Sequence, residues 1–332
     1  MTSRLPIGKV PAELLGTLVY PHLGARRPDI LVHAQLGEDC AVIEFGDEVA
    51  VLTTDPITGA GPDLGWYAVF IATNDLAATG AEPVALLLTL LLAPADAATN
   101  LRRVMRDASA AATQLGVEIA GGHSEVTSGI DRTIVIVTAL GRARKDRVLR
   151  SGGAQPGDTL LLTKGAGIEG TSILAAALEE RLKPVLGEEA LARARAYRDQ
   201  ISVLPEARAA VGAGARAMHD VTEGGILGAV YEIAAASGIG VHLDANRVGV
   251  LPETASICGA LGLDPLGLIG SGALLVATPD APRTAGAIGR AGIPAAEIGM
   301  FVARDRLVTR DGVTTPLLPP GRDELWRALG PG

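Results

Sequence analysis

Cysteine is nearly absent from this chain: Cys40 and Cys258 are the only two in 332 residues. Two thiols cannot build a disulfide framework, and neither lies in a Cys-x-x-Cys pair, so a reducing compartment is the expectation. No His-Glu-x-x-His or clustered Cys/His spacing occurs, so nothing here reads as a zinc site. Aromatic residues are equally scarce at 3%, which leaves Leu, Val, Ile and Ala to build the core and removes base or sugar stacking as the main binding device. Positive charge is in deficit, 29 Lys and Arg against 37 Asp and Glu for a net −8, with no basic stripe. Proteins that neutralise phosphate backbones concentrate such charge, so nucleic acid is not an expected partner. Long apolar runs are missing too. The most apolar stretch, Val84 to Ala93, lies between Pro83 and Pro94 and is about half the length of a membrane helix. No apolar run follows the charge near Met1, so no secretory signal is read. The expectation is a cytoplasmic protein without membrane contact.

What is present is a hydrophobic fraction of 48%, enough for a full core, over a length that suits two domains. Residues 1–36 form an N-terminal segment broken by Pro6, Pro11, Pro21 and Pro28, with one helix at 12–19. Residues 37–145 read as a first domain. It has strands at 41–45 and 49–54 joined by Gly46-Asp47, and a helix from Trp66 to Gly80. Val84 to Ala93 reads as a strand too apolar to face water on either side. An amphipathic helix over 101–115 and a buried strand over 133–140 complete this half. Arg142 to Gly157 suits a domain edge. A second domain, 146–305, follows with a strand at 158–163, helices at 171–180, at 188–200 and from Thr222, a strand at 240–243 and a final apolar strand at 273–277. Residues 306–332 are left as a C-terminal tail. Strands and helices are mixed throughout, so both halves read as α/β or α+β.

Four aspartates stand out by position. Asp39 precedes a strand, Asp55 ends the next one, Asp75 sits inside an apolar helix, and Asp220 precedes a helix in His219-Asp220-Val221-Thr222-Glu223-Gly224-Gly225. A single aspartate at such a place is usually a cap or turn former. A carboxylate inside an apolar helix face is costly unless it is paired or holds a cation. Carboxylate oxygens are hard ligands that suit Mg2+, which commonly bridges protein carboxylates to nucleotide phosphates. His123, after Gly121-Gly122, reads as a general base, a phosphate contact or a hydrogen-bonded turn residue. His219 reads as structural.

Gly165-Ala166-Gly167-Ile168-Glu169-Gly170 fits the dinucleotide fingerprint, but no acidic strand end follows at the required distance. A tight strand-to-helix turn is the better reading. P-loop and nucleophile-elbow motifs are absent.

Five stretches taken together resemble a known family. Gly37-Glu38-Asp39-Cys40-Ala41-Val42, Thr54-Asp55 and Asn74-Asp75-Leu76-Ala77-Ala78-Thr79-Gly80-Ala81-Glu82-Pro83 look like successive motifs of the aminoimidazole ribonucleotide synthetase-related superfamily. Asp220 to Gly225 resembles that superfamily's DxTxGG helix start. Cys258 to Leu266, with Ser271-Gly272, is most similar to the hydrogenase maturation factor HypE. The resemblance runs in order from Gly8 to residue 305. It implies a two-domain aminoimidazole ribonucleotide synthetase-like fold, an α/β domain followed by an α+β domain, with the N-terminal sheets forming a dimer barrel. It also implies an ATP and Mg2+ site near that interface. Carried over residue by residue, Asp39, Asp55, Asp75 and Asp220 hold Mg2+. The same aspartates of the first half, with Thr54, Asn74, Gly121, Gly122, Glu223 and Gly224, bind the nucleotide, and Lys9, His123 and Asp220 take catalytic roles. Lys9 falls where relatives have a mobile loop that closes over the phosphates.

Two departures qualify the match. Relatives commonly carry aspartate where this chain has His123, so one metal site is missing or rebuilt with Glu125. HypE ends in a cysteine that carries the carbamoyl group, whereas this sequence closes Leu325-Trp326-Arg327-Ala328-Leu329-Gly330-Pro331-Gly332. The expectation is an ATP- and Mg2+-dependent, HypE-like enzyme that phosphorylates, dehydrates or activates a small carbamoyl, carboxylate or phosphate-bearing substrate. A divergent thiamine-monophosphate kinase is the nearest rival. A non-catalytic, nucleotide-binding dimer that scaffolds another maturation protein is the second.

Overall fold

A computed structural model describes residues 9–10, 12–59, 61–319 and 321–330. After helix α1 (Ala12–Leu18), the N-terminal half builds strands β1 (Ile30–Val32), β2 (Ala41–Phe45), β3 (Glu48–Ile57), β4 (Glu82–Leu92), β5 (Glu118–Val126) and β6 (Ile134–Arg144). They pair in the order β1-β2-β3-β6-β4-β5, antiparallel except for β4 with β5. Helices α2 (Leu64–Ala78) and α3 (Ala97–Leu115) pack on each other and on one face of this sheet. Every residue of α2 is buried, because it lies between its own sheet, α3 and the C-terminal half. A helix that is apolar all round belongs in such a place. The segment expected to close over phosphates begins in residues 1–8, which lie outside the described residues.

The expectation that Val84 to Ala93 avoids water on both faces is corrected by this layering. Leu86, Leu88, Leu90 and Leu92 point into the core under α2 and α3, while Val84 and Leu87 stand 46% and 48% exposed. Leu87 and Leu140 (37% exposed) lie on a sheet face that no element among the described residues covers.

The C-terminal half builds α4 (Ile168–Ala177), α5 (Glu179–Ala196), α6 (Leu204–Ala213), α7 (Gly225–Ala236), α8 (Pro252–Leu261), α9 (Ala281–Arg290) and α10 (Glu324–Leu329) around a second sheet. Its strands are β7 (Thr159–Thr163), β8 (Ala217–Asp220), β9 (Gly240–Asp244), β10 (Leu274–Thr278), β11 (Ala295–Val302), β12 (Arg306–Arg310) and β13 (Val313–Pro316). The order is β13-β12-β9-β11-β7-β10-β8, antiparallel except for β12 with β9. β10 is buried along its whole length, as its unbroken apolar run requires. It is not the last strand: β11, β12 and β13 follow it, and the sheet reaches Pro316. Polar residues interrupt their sequences, which hid them in a search for apolar runs. The charged segment expected from Glu188 is the second limb of α5, which bends at Gly187, where φ is 78°.

The glycine-rich turn between β7 and α4 serves packing. A Cβ on Gly165 would stand 2.9 Å from the Gly249 carbonyl oxygen, and one on Gly170 would stand 2.5 Å from the Leu268 side chain. Close approach of the 249 and 268 segments, rather than a pyrophosphate, accounts for these glycines.

Candidate functional site

Alternation along β3 sets the first part of the site. Val49, Val51 and Thr53 turn inward, so Thr53 meets α2 and donates a 2.6 Å hydrogen bond to Asp75 Oδ2. Asp55, two residues on, faces the same way and is half-buried. Thr54 points to the opposite, uncovered face, 3.2 Å from the Thr138 hydroxyl. Asp39 enters from the start of β2 and Asp220 from the end of β8, in the other half of the chain. Asp39, His219 and Asp220 offer ligand atoms that all lie within 4.8 Å of one another.

Burial and mutual repulsion shift the ionisation of these groups. Cys40 is buried, and its thiol pKa is pushed well above the ordinary value by that burial and by Asp75, Asp39, Asp220 and Asp55 together. Asp75 is driven far above the usual carboxylate range by burial, then by Asp55, Asp220 and Asp39. Burial raises Asp55 as well, Asp39 adds to the rise, and a hydrogen bond with Asp75 opposes it. Asp220 is fully buried and pushed up to about 7 by desolvation and by Asp39 and Asp55. Both of its carboxylate oxygens, and Asp55 Oδ2, lack a hydrogen-bond partner among the described residues. Buried polar atoms of this kind call for a ligand.

Two basic groups balance part of the charge. His219 Nδ1 lies 2.7 Å from the Asp220 carbonyl oxygen, and its Nε2 sits 3.7 Å from both Asp39 and Glu232. Burial works against a charge on this ring, but Asp39, Glu232 and Asp220 outweigh it and raise its pKa. Half-exposed Lys9 reaches Glu232 at 3.4 Å, and burial of its ammonium is likewise outweighed by Glu232 and Asp39. Its backbone N–H donates to Glu223 Oε1, which also accepts from Trp326 Nε1 at 3.2 Å. The Gly224 N–H donates to Asp323 Oδ2 at 2.6 Å.

Other expected residues stand elsewhere. Asn74 is fully buried and spends both ends of its amide on the C-terminal half, donating to the Ile201 carbonyl at 2.8 Å and accepting from Val203 N–H at 3.0 Å. His123 is exposed on β5, with Nε2 3.1 Å from Glu125. Asp55, Val137, Leu88 and Gly122 form one row across β3, β6, β4 and β5. His123 is therefore about three strand spacings, about 14 Å, from Asp55 within one chain. A Cβ on Gly122 would stand 1.9 Å from the Leu88 carbonyl oxygen, so the β4–β5 pairing itself demands glycine there.

Glu232, Cys40 and Thr53 belong to the site without having been singled out. Glu232 had a legible signal, an acid inside the apolar helix Gly225–Ala236, the same signal that marked Asp75.

Two mixed α/β layers with an acid cluster at their seam define the class. Family models described as the AIR synthase related protein N-terminal and C-terminal domains match residues 37–143 and 155–312. The chain belongs to the AIR synthase-related family. It is 31% identical over 283 residues to a protein of Rhodobacter capsulatus named carbamoyl dehydratase HypE, covering 84% of this chain and 80% of the relative. A thiamine-monophosphate kinase of Methanospirillum hungatei is 31% identical over 228 residues, 65% of this chain and 71% of the relative. The fold matches a crystal structure of a hydrogenase maturation protein HypE in complex with ATP, with a TM-score of 0.71, 23% identity, and 96% and 97% of the two chains covered. No helix among the described residues is long and apolar enough to cross a membrane.

Proposed function

We propose that this chain is an ATP- and Mg2+-dependent enzyme that activates an oxygen of a small carbamoyl, carboxylate or phosphate-bearing substrate by phosphoryl transfer. The observation that carries this reading is the meeting of Asp39 from one half of the chain with Asp220 from the other, within 4.8 Å of each other and of His219, while Asp220 and Asp55 keep buried oxygens without partners among the described residues. Carboxylates so placed repel one another unless a cation stands among them, and oxygen donors fit a hard divalent ion. The unpartnered oxygens of Asp220 and Asp55 suit that role. Bound Mg2+ and ATP would supply a charge-neutralised phosphoryl group. Asp39, Asp55, Asp75 and Asp220 would hold the cation, Lys9 would place positive charge beside the phosphates, and His219 would keep Asp39 and Glu232 in register. The names of the relatives agree with this chemistry, since one is a carbamoyl dehydratase and another a kinase. In either chemistry on this chain, a substrate oxygen would bond to the γ-phosphorus of bound ATP as the bond to ADP breaks. In a dehydration, the phosphorylated oxygen then leaves as phosphate while the amide nitrogen gives up its protons.

The acceptor is not carried on either thiol of this sequence. Cys40 and Cys258 are both buried, and burial raises both thiols, Cys258 to about 12. Neither is a nucleophile in this state.

In the test, purified protein with ATP and Mg2+ is followed by phosphorus NMR, with small carbamoyl and carboxylate acceptors added. Acceptor-stimulated ADP formation is expected, lowered at least 100-fold in Asp220→Asn. Absence of any nucleotide binding at millimolar Mg2+ would remove the proposal.

The same reading includes a homodimer. The uncovered N-terminal face carries Leu87, Leu140 and Thr54, and His123 pairs beside Thr89 on it. A second copy would cover this face, and any part His123 plays in the acid site would then run through the partner copy. Leu87→Arg is expected to convert dimer to monomer in sedimentation experiments, because an unpaired charge would be buried in the seam. A variant that stays dimeric places the interface elsewhere.

A further inference from the structure

The glycine-rich turn after β7 opens on Lys164, whose backbone lies in the left-handed region at φ 55°. The other three non-glycine residues with positive φ among the described residues are aspartates, whose short polar side chains tolerate that conformation. A lysine there needs an external reason. Its side chain is 11% exposed, and its ammonium sits inside a ring of oxygens. Glu206 Oε1 is 2.6 Å away, the Ser202 and Gly272 carbonyl oxygens are each 2.7 Å away, and the Gln200 carbonyl oxygen is 3.2 Å away. An ammonium has three protons, so four oxygens exceed what it can satisfy with separate hydrogen bonds. Glu206 is fully buried, and its Oε2 has no partner among the described residues. Its Oε1 also accepts from the Thr163 hydroxyl at 3.3 Å. The ring does not depend on the lysine alone for its shape. A Cβ on Gly272 would stand 2.9 Å from the Gln200 carbonyl oxygen, so close backbone packing brings two members of the ring together.

We propose that this ring is a monovalent-cation site, sized for K+ or NH4+, which the Lys164 ammonium fills permanently in this chain. Carbonyl and carboxylate oxygens can stand in for the hydration shell of such an ion. Spacings of 2.6–3.2 Å are too wide for Mg2+, which needs about 2.0–2.1 Å. Burial lowers the pKa of the ammonium while Glu206 opposes that fall, the balance of a cation that trades water for protein oxygens. The site has a task at the seam between the two halves. Gln200 and Ser202 flank Ile201, whose carbonyl accepts from Asn74 on α2, and Gly272 lies two residues before β10. One charge therefore gathers the end of β7, the 200–202 segment and the approach to β10, and holds that segment where Asn74, the neighbour of Asp75, grips it. Lys164 is a positioning residue, and the seam it closes needs no free monovalent ion.

Thermal midpoints of the full chain in the chlorides of K+, NH4+, Li+ and tetramethylammonium, at equal ionic strength, test this. Lys164→Gly keeps the backbone angle without strain and empties the ring. Its midpoint should fall in tetramethylammonium and recover saturably, by about 3 °C or more, in K+ or NH4+ but not in Li+. Lys164→Met fills the same space without charge and leaves Glu206 buried and unpaired. It should be destabilised in every salt, with no recovery in K+, and so measures the general salt effect. Wild type should shift between the salts no more than Lys164→Met does. Adding Glu206→Gln to Lys164→Gly should abolish the recovery. A Lys164→Gly chain that responds alike to all four cations, or that stays unfolded in K+ and NH4+ as well, overturns the proposal. So does a wild-type midpoint that rises with K+ as much as the glycine variant's. No nucleotide enters these measurements, so their outcome is independent of the reading of the acid site.

Discussion

Asp75→Asn is expected to make the metal-free protein more stable while nearly abolishing its affinity for Mg-ATP. Burial and the neighbouring Asp55, Asp220 and Asp39 push the native carboxyl well above the usual carboxylate range. In the unfolded chain that proton leaves near pH 4. Unfolding therefore releases a proton, and rising pH favours the unfolded state until the folded group also ionises. Asp220 behaves alike over a window from its ordinary 3.8 to about 7, a difference on the order of 4 kcal/mol. The metal-free wild type should thus lose thermal stability as pH rises from about 4 to about 7, and Mg2+ should restore it by binding the ionised carboxylates. Asparagine at position 75 still accepts from Thr53, offers an N–H to Asp55, and has no proton to lose. Its midpoint at pH 8 should lie about 3–6 °C above wild type, with a shallower fall against pH. Loss of one charged ligand should lower Mg-ATP affinity roughly 100-fold, about 3 kcal/mol. Calorimetric titration with unchanged affinity would take Asp75 out of the site.

Asn74→Ala should act in the opposite way. It removes both hydrogen bonds that tie α2 to the 201–203 segment and strands a buried carbonyl and a buried N–H. Each stranded group costs about 1–3 kcal/mol, so the loss should reach about 2–6 kcal/mol. A fall of about 5–10 °C in midpoint is expected by scanning calorimetry. Asn74→Asp keeps the acceptor for Val203 N–H but sets a carboxylate against the Ile201 carbonyl, so it should be no better. If Asn74→Ala leaves the midpoint alone and weakens Mg-ATP instead, the amide touches nucleotide and not the domain seam.

The contrast between these neighbours shows how far the sequence reaches. Asp75 was legible because a charge inside an apolar helix has few tolerable explanations. Asn74 stands about 100° further round the same helix, and nothing in the chain order tells which direction faces the second domain. Glu232 carried the same signal as Asp75 and was missed beside the more prominent His219-Asp220. β8 was missed because Ala-Met-His-Asp is four residues long and half polar, too short for a period-2 pattern. The exposed face of β4 was illegible for another reason: an exposed leucine such as Leu87 looks the same in the sequence as the buried Leu86 and Leu88. The acidic cluster was foreseeable as a set. Its seam position, with one aspartate from the second domain closing the ring, came from topology that local pattern does not encode.

Cys40, buried and raised by burial and by the charges of four aspartates, gives the protein its own reporter. An alkylating reagent meets a thiol that is shielded and protonated, so labelling is slow until the two halves part. Cys258, buried apart on α8, serves as an internal reference for global unfolding. The ratio of the two labelling rates therefore measures how often the seam breathes without the chain coming undone.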